Sequence, residues 1–207
     1  MEYVLLGWPD VGPTLTLDWR SFSYAGKFVM SSTGKAVVRT GDGSGPPVTE
    51  DGDAAADVVA AAAFNEDRTD SSVCWIRYIT VREDYRGEGI GPDLAAFVAA
   101  RARDRAFDRV RIAVNNPFAY QALYRAGFHF TGEETGVAEL VLDRPLGDGS
   151  DVEGAAGDRS RSTYQAGLDI YRDRADAADG PDLSADEREF LAEKTASDPP
   201  APVDPPA

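Results

Sequence analysis

Residues 76–94 read IRYITVREDYRGEGIGPDL, and the order of chemistry along them organises the rest of the chain. The stretch begins inside Val73–Val81, a run of aromatic and β-branched residues that predicts a long strand. It ends inside Pro92–Phe107, where Pro92 suits a first helical turn and Leu94, Val98, Ala102 and Ala106 fall four apart on one face. Between them Gly87, Gly89 and Gly91 let the backbone turn sharply and let a ligand approach the main chain. A helix opening at such a loop points unpaired N–H groups and the positive end of its dipole toward it. With Arg86 as a fixed cation, the combination predicts a site for a phosphate-rich ligand.

Two familiar phosphate loops do not fit. A Walker loop needs Lys and then Ser or Thr after its last glycine, and Pro92-Asp93 follows Gly91. A dinucleotide fingerprint needs G-x-G-x-x-G, and Gly87-Glu88-Gly89-Ile90-Gly91 closes one residue early. On the residues alone, a glycine-rich turn without a ligand stays open.

Outward from the loop, Val58–Phe64 is a continuous apolar run and Arg109–Val114 alternates Val110, Ile112 and Val114 as a strand. Asn116 and Pro117 form a cap and first turn for a helix ending at Gly127, and His129–Leu146 predicts a final hairpin turning at Gly132–Gly136. Alternating strands and helices predict an α/β or α+β sheet with helices packed on it. In residues 1–40, strands are expected around Thr14–Trp19, Lys27–Ser31 and Ala36–Arg39, followed by a Gly, Pro and Asp-rich loop at Thr40–Asp53 that suits a mobile connection or a lid. The expected division is a main folded domain over 1–146 with its core at 57–146, a linker at 147–158, an acidic helical extension at 159–195 and a disordered tail at 196–207.

Composition narrows the classes. Acids outnumber bases 36 to 21 for a net charge of -15, spread along the chain rather than gathered in one stretch. A salt-adapted, halophilic surface explains this better than a cationic acceptor would, and either reading disfavours nucleic acid, whose phosphates need a basic partner surface. No run of 18 apolar residues exists and the amino terminus lacks a secretory pattern, so a cytoplasmic, membrane-free protein is expected. One cysteine, Cys74, and one histidine, His129, form no metal-ligand cluster.

Arg86-Gly87-Glu88-Gly89-Ile90-Gly91 resembles the Arg/Gln-x-x-Gly-x-Gly/Ala signature of the GNAT acetyltransferase superfamily, and Tyr78-Ile79-Thr80-Val81 resembles the strand ahead of it. Ala122–Phe128 resembles the family's Leu-Tyr-x-x-x-Gly-Phe segment, with one residue fewer between Tyr124 and Gly127. The resemblance covers roughly residues 57–145. It implies a mixed, mostly antiparallel twisted sheet whose two central parallel strands, Val73–Val81 and Arg109–Val114, splay apart to admit acetyl-CoA. Main-chain groups of Ile79, Thr80 and Val81 would pair with the pantetheine arm. Amides of Gly87, Glu88, Gly89, Ile90 and Gly91 beside Arg86 would hold the pyrophosphate, with Asn116 touching the pantetheine or the loop. No metal is implied.

The implied activity is acetyl transfer to a primary amine by direct attack, with Tyr124 matching the tyrosine that in many members protonates the departing thiolate. The family carries Asn seven residues before that tyrosine, where this chain has Pro117 after Asn115 and Asn116. It also uses a strand glutamate or a water chain as base, and Val73–Val81 has no carboxylate. Glu66, Asp67, Glu83 and His129 are the remaining candidates, Cys74 is expected to pack as a small core residue, and Arg77 could pair with a carboxylate on the acceptor. The acceptor wall lacks the usual helices, so Trp8, Trp19, Phe22, Tyr24 and Phe28 either rebuild it or pack the core. A noncatalytic acyl-CoA-binding regulatory module is the alternative. A homodimer stays open, and the acidic extension is either a partner-binding segment or a solvated one.

Overall fold

A computed structural model describes residues 1–41, 56–147, 157–176 and 183–207. Most of the loop expected at Thr40–Asp53 and of the linker at 147–158 lies outside these residues.

The described residues form one seven-stranded sheet: β1 (Glu2–Gly7), β2 (Gly34–Arg39), β3 (Val58–Glu66), β4 (Val73–Val81), β5 (Arg109–Val114), β6 (His129–Glu134) and β7 (Leu140–Pro145). Their spatial order is β1-β2-β3-β4-β5-β7-β6, and only β4 and β5 run parallel. The parallel pair requires a crossover, which α1 (Ile90–Asp104) supplies. β3 shows why the sheet sits centrally. Its run Val-Val-Ala-Ala-Ala-Ala-Phe is buried on both faces, and the alanines let covering layers come close on either side.

One face packs against helices. Ala60, Ala62, Cys74 and Ile76 join Leu94, Val98 and Ala102 of α1 and Leu123 of α2 (Pro117–Arg125) in the main core. Asn116 caps α2 by accepting a hydrogen bond from the Ala119 N–H at 2.8 Å, with Pro117 at the first turn.

The other face, over β2–β4, is covered by residues 13–31, and here the expectation changes. Thr14–Trp19 and Lys27–Ser31 are not strands; the first strand is Glu2–Gly7. The alternation of Leu15 and Leu17 is real burial against Val37, Ala61 and Ala63, but the segment lies across the sheet instead of joining its edge. Phe22 and Phe28 are buried in that layer, Trp8 packs in the main core, and Trp19 and Tyr24 are exposed. Lys35 pins the layer: its buried ammonium reaches the carbonyls of Met30 and Thr33, both at 2.8 Å, the Thr33 hydroxyl at 2.6 Å and the Pro13 carbonyl at 3.2 Å.

After β7 the chain forms α3 (Arg161–Asp176) and α4 (Ala185–Glu193). Tyr164, Leu168 and Tyr171 of α3 and Leu191 of α4 belong to the main core. The tail expected to be disordered has no helix or strand but is tied down: Val203 N–H donates to the Arg125 carbonyl at 2.7 Å, and Arg159 to Pro200 at 3.0 Å. Among the described residues no helix is long and apolar enough to cross a membrane.

Candidate active site

The site begins where two parallel strands stop pairing. β4 and β5 align from Val73↔Arg109 to Ile76↔Ile112 and no further. On its other side β4 carries a bulge: Ala63 pairs with Tyr78 and Phe64 with Ile76, so Arg77 is the extra residue. A bulge sharpens local twist and ends regular pairing. Beyond it β4 follows β3 to the Val81↔Ala60 pair, while β5 follows β7 to Val114↔Leu140. The facing edges, including Ile79, Thr80 and Val81, have no strand between them.

A cavity of about 440 Å³ opens from this gap, bounded by Ile79, Thr80, Val81, the glycine loop, Val114 and the near face of α2. Gly87 and Gly89 hold the loop in the left-handed region, with φ of 87° and 86°. A Cβ on Gly87 would meet nothing within 4 Å, so the turn presents open main chain to the cavity. Gly89 is the N-cap of α1 and offers no side chain, so the amides of the first turn remain available.

Two guanidinium groups stand at this end. Arg86 Nε donates to the Val81 carbonyl at 3.3 Å and its Nη2 to the Ser23 hydroxyl at 3.2 Å, which folds it against the end of β4. Arg125, at the end of α2, also lines the cavity; its Nη2 lies 4.0 Å from where a Gly89 Cβ would stand. Its side chain forms no hydrogen bond or ion pair among the described residues. Among the described residues no carboxylate lines the cavity. The sequence reading did not include Arg125, although its place one residue past the Leu-Tyr pair brings it round to the loop.

Of the expected cofactor residues, Ile79, Thr80, Val81, Arg86, Gly87, Gly89, Ile90 and Gly91 line the cavity. Glu88 is exposed and Asn116 is committed to capping α2; neither side chain is in the wall.

Tyr124 is expected beside the thioester and packs in the core. It is fully buried and outside the cavity wall, with its hydroxyl accepting from the Phe130 N–H at 3.0 Å. Residues four apart on a helix share a face. Tyr120 and Tyr124 therefore turn together onto Tyr164, with centroids 5.8 and 4.7 Å away, while Ala119 and Leu123 turn together into the cavity. The family spacing agrees, since seven residues beyond Asn116 and four before Gly127 both reach Leu123.

None of the candidate bases lines the cavity. Glu83 lies 3.8 Å from Arg86 in an ion pair, and Asp67 accepts from Thr69 and Asp70. His129 sits at the start of β6 against Gly157, its pKa held below the usual value by burial. Burial pushes the Cys74 thiol up to about 12, which keeps it protonated and inert.

Residues 14–128, more than half of the chain, match the Acetyltransferase (GNAT) family. The chain belongs to that family and is an acyltransferase. No curated protein matches it. Among solved structures it is similar to nourseothricin acetyltransferase, at 17% identity and a TM-score of 0.47, covering 70% of this chain and 98% of that one. A Bacillus subtilis acetyltransferase in complex with CoA is 15% identical, with a TM-score of 0.43, covering 55% and 77% of the two chains. Ribosomal-protein-alanine N-acetyltransferase from Brucella melitensis is 18% identical, with a TM-score of 0.43 over 55% and 69%. Family membership rests on the match over residues 14–128.

Proposed function

We propose that this enzyme moves an acetyl group from acetyl-CoA to a primary amine by direct attack. The observation that carries the reading is a cavity whose wall, among the described residues, has two guanidinium groups and no carboxylate, in a chain of net charge -15, running into an unpaired strand edge. A ligand with phosphates at one end and amides along its arm suits both halves of that cavity. The pyrophosphate would lie on the amides from Gly87 to Gly91 between Arg86 and Arg125. The pantetheine would run along Ile79–Val81 as an added strand, placing the thioester at the apex beside the bulge.

The amine nitrogen attacks the thioester carbonyl; the C–N bond forms, the C–S bond breaks, the amine loses a proton and the thiolate gains one. Among the described residues no carboxylate lines the wall, its phenol, Tyr85, precedes the glycine loop at the phosphate end, and Leu123 occupies the wall where the family places tyrosine. Water therefore carries both protons, which a modestly basic thiolate tolerates.

Isothermal titration of acetyl-CoA into the wild type and Gly89→Glu tests the binding half. The charged side chain would fill the loop and abolish binding; unchanged affinity in a folded variant overturns the placement. Thiol release across an amine panel at low and high salt tests the transfer. Binding without release from any amine would favour the noncatalytic acyl-CoA-binding reading.

A further inference from the structure

We propose that Arg77 receives an oxyanion on the acceptor, so that the amine acetylated here belongs to a molecule that also carries a carboxylate or a phosphate. The inference rests on the reading that the thioester lies at the apex of the splay. Arg77 is the bulged residue of β4, the first one past the last β4–β5 pair. Ile76 and Ile112 point into the helix-side core, and the cavity lies on that side. Trp75, Arg77 and Arg111 occupy the opposite face, from which an amine reaches a thioester held in the gap.

The guanidinium of Arg77 is built for a partner it lacks. Its Cζ lies 4.7 Å over the Trp75 ring, and that of Arg111 5.5 Å from the same ring. Its Nε is fixed by the Asn65 side-chain carbonyl at 2.7 Å. Its two Nη groups have no hydrogen-bond partner, and no carboxylate lies within ion-pair distance, among the described residues. Its neighbours are spent. Arg111 grips the buried Asp143 with two bonds of 2.7 and 2.9 Å, and Arg109 shares that carboxylate at 3.6 Å. Asp67, whose charge acts on Arg77, already accepts from the Thr69 N–H and hydroxyl and the Asp70 N–H.

A half-buried guanidinium held flat, with both Nη groups presented, is preorganised for the two oxygens of a carboxylate or phosphate. The same cation repels a second ammonium, so a polyamine is a poor acceptor despite the acidic surface.

The test is titration into the enzyme saturated with CoA, using matched pairs: L-lysine against cadaverine, L-alanine against ethylamine, and O-phosphoethanolamine against ethylamine. In the wild type the oxyanion member of at least one pair should bind roughly tenfold or more tighter, the worth of a charge-assisted bond. Arg77→Gln should bring that ratio to about one, and Arg77→Lys, which keeps the charge without the fork, should retain part of it. Which pair responds separates carboxylate from phosphate. Equal binding within every pair, or a preference that survives Arg77→Gln, overturns the proposal. A preference without thiol release from any of these amines would count against transfer to these acceptors and leave the oxyanion site standing.

Discussion

Replacing Tyr124 with Phe separates a tyrosine that holds the fold from one that donates a proton. The change removes one hydroxyl and keeps the ring against Tyr120 and Tyr164. The Phe130 N–H, 3.0 Å away, loses its acceptor inside the core. An orphaned buried donor costs about 1–3 kcal/mol. Tyr120 loses little, because its hydroxyl keeps the Tyr164 carbonyl at 3.1 Å. For a chain of this size that cost lowers Tm by roughly 2–12 °C.

Turnover should behave oppositely. Loss of a working general acid costs about 10²–10⁴-fold in rate. A hydroxyl outside the cavity wall should change kcat by no more than about twofold. Burial raises the Tyr124 pKa against the lowering bonds from Tyr120 and Phe130, so the phenol contributes no limb to the pH–rate profile near neutrality. Calorimetric melting and initial rates of thiol release, with acetyl-CoA and the best amine both saturating, give the two numbers. A hundredfold fall in kcat with Tm unmoved would refute the reasoning and return the phenol to the leaving sulfur.

Arg125→Ala should weaken acetyl-CoA binding about tenfold and flatten its salt dependence, while amine KM stays level; unchanged Kd by titration would remove Arg125 from the phosphate end. Burial pushes the Lys35 ammonium from 10.5 down to about 8, so the unfolded chain holds more protons than the folded one between those values. Stability from this group should therefore rise with pH across that window, and the difference in unfolding free energy between wild type and Lys35→Met, from denaturant melts at pH 7 to 10, should climb. A flat or falling difference contradicts it. A Cβ at Gly167 would stand 2.2 Å from the Tyr120 hydroxyl oxygen. Gly167→Ala should thus cost about 1–3 kcal/mol in melting by overpacking α3 on α2.

What the sequence revealed depended on whether the signal was local. The glycine loop is legible because Gly87 and Gly89 adopt a φ that other residues resist; Asn116 and Pro117 fix the start of α2, whereas α1 starts at Ile90, two residues before the Pro92 that marks its first turn. At α2 the residue name points to Tyr124, while the helical period brings Ala119 and Leu123 to the cavity. The alternation at Leu15 and Leu17 was read as pairing, yet alternation reports burial, and the hydrogen bonds of that segment lie elsewhere. The bulge at Arg77 had no signature in β4 itself, since it exists only in the register with β3.

The family match ends at residue 128, but the structure that shapes the cavity does not. Tyr171 of α3 donates to the Val114 carbonyl at 3.2 Å, fixing the end of β5 at the cavity wall. Phe190 of α4 packs 4.9 Å from Phe118, another wall residue, and Val203 of the tail holds the Arg125 carbonyl. Each contact lands on the side of the gap formed by β5 and α2, whereas the β4 side is held by the sheet and by the layer pinned at Lys35. A splay needs both banks held apart, because strands free to approach would close on each other's unpaired N–H and C=O groups. The extension thus adds Tyr164, Leu168, Tyr171 and Leu191 to the core behind the β5 and α2 side of the gap.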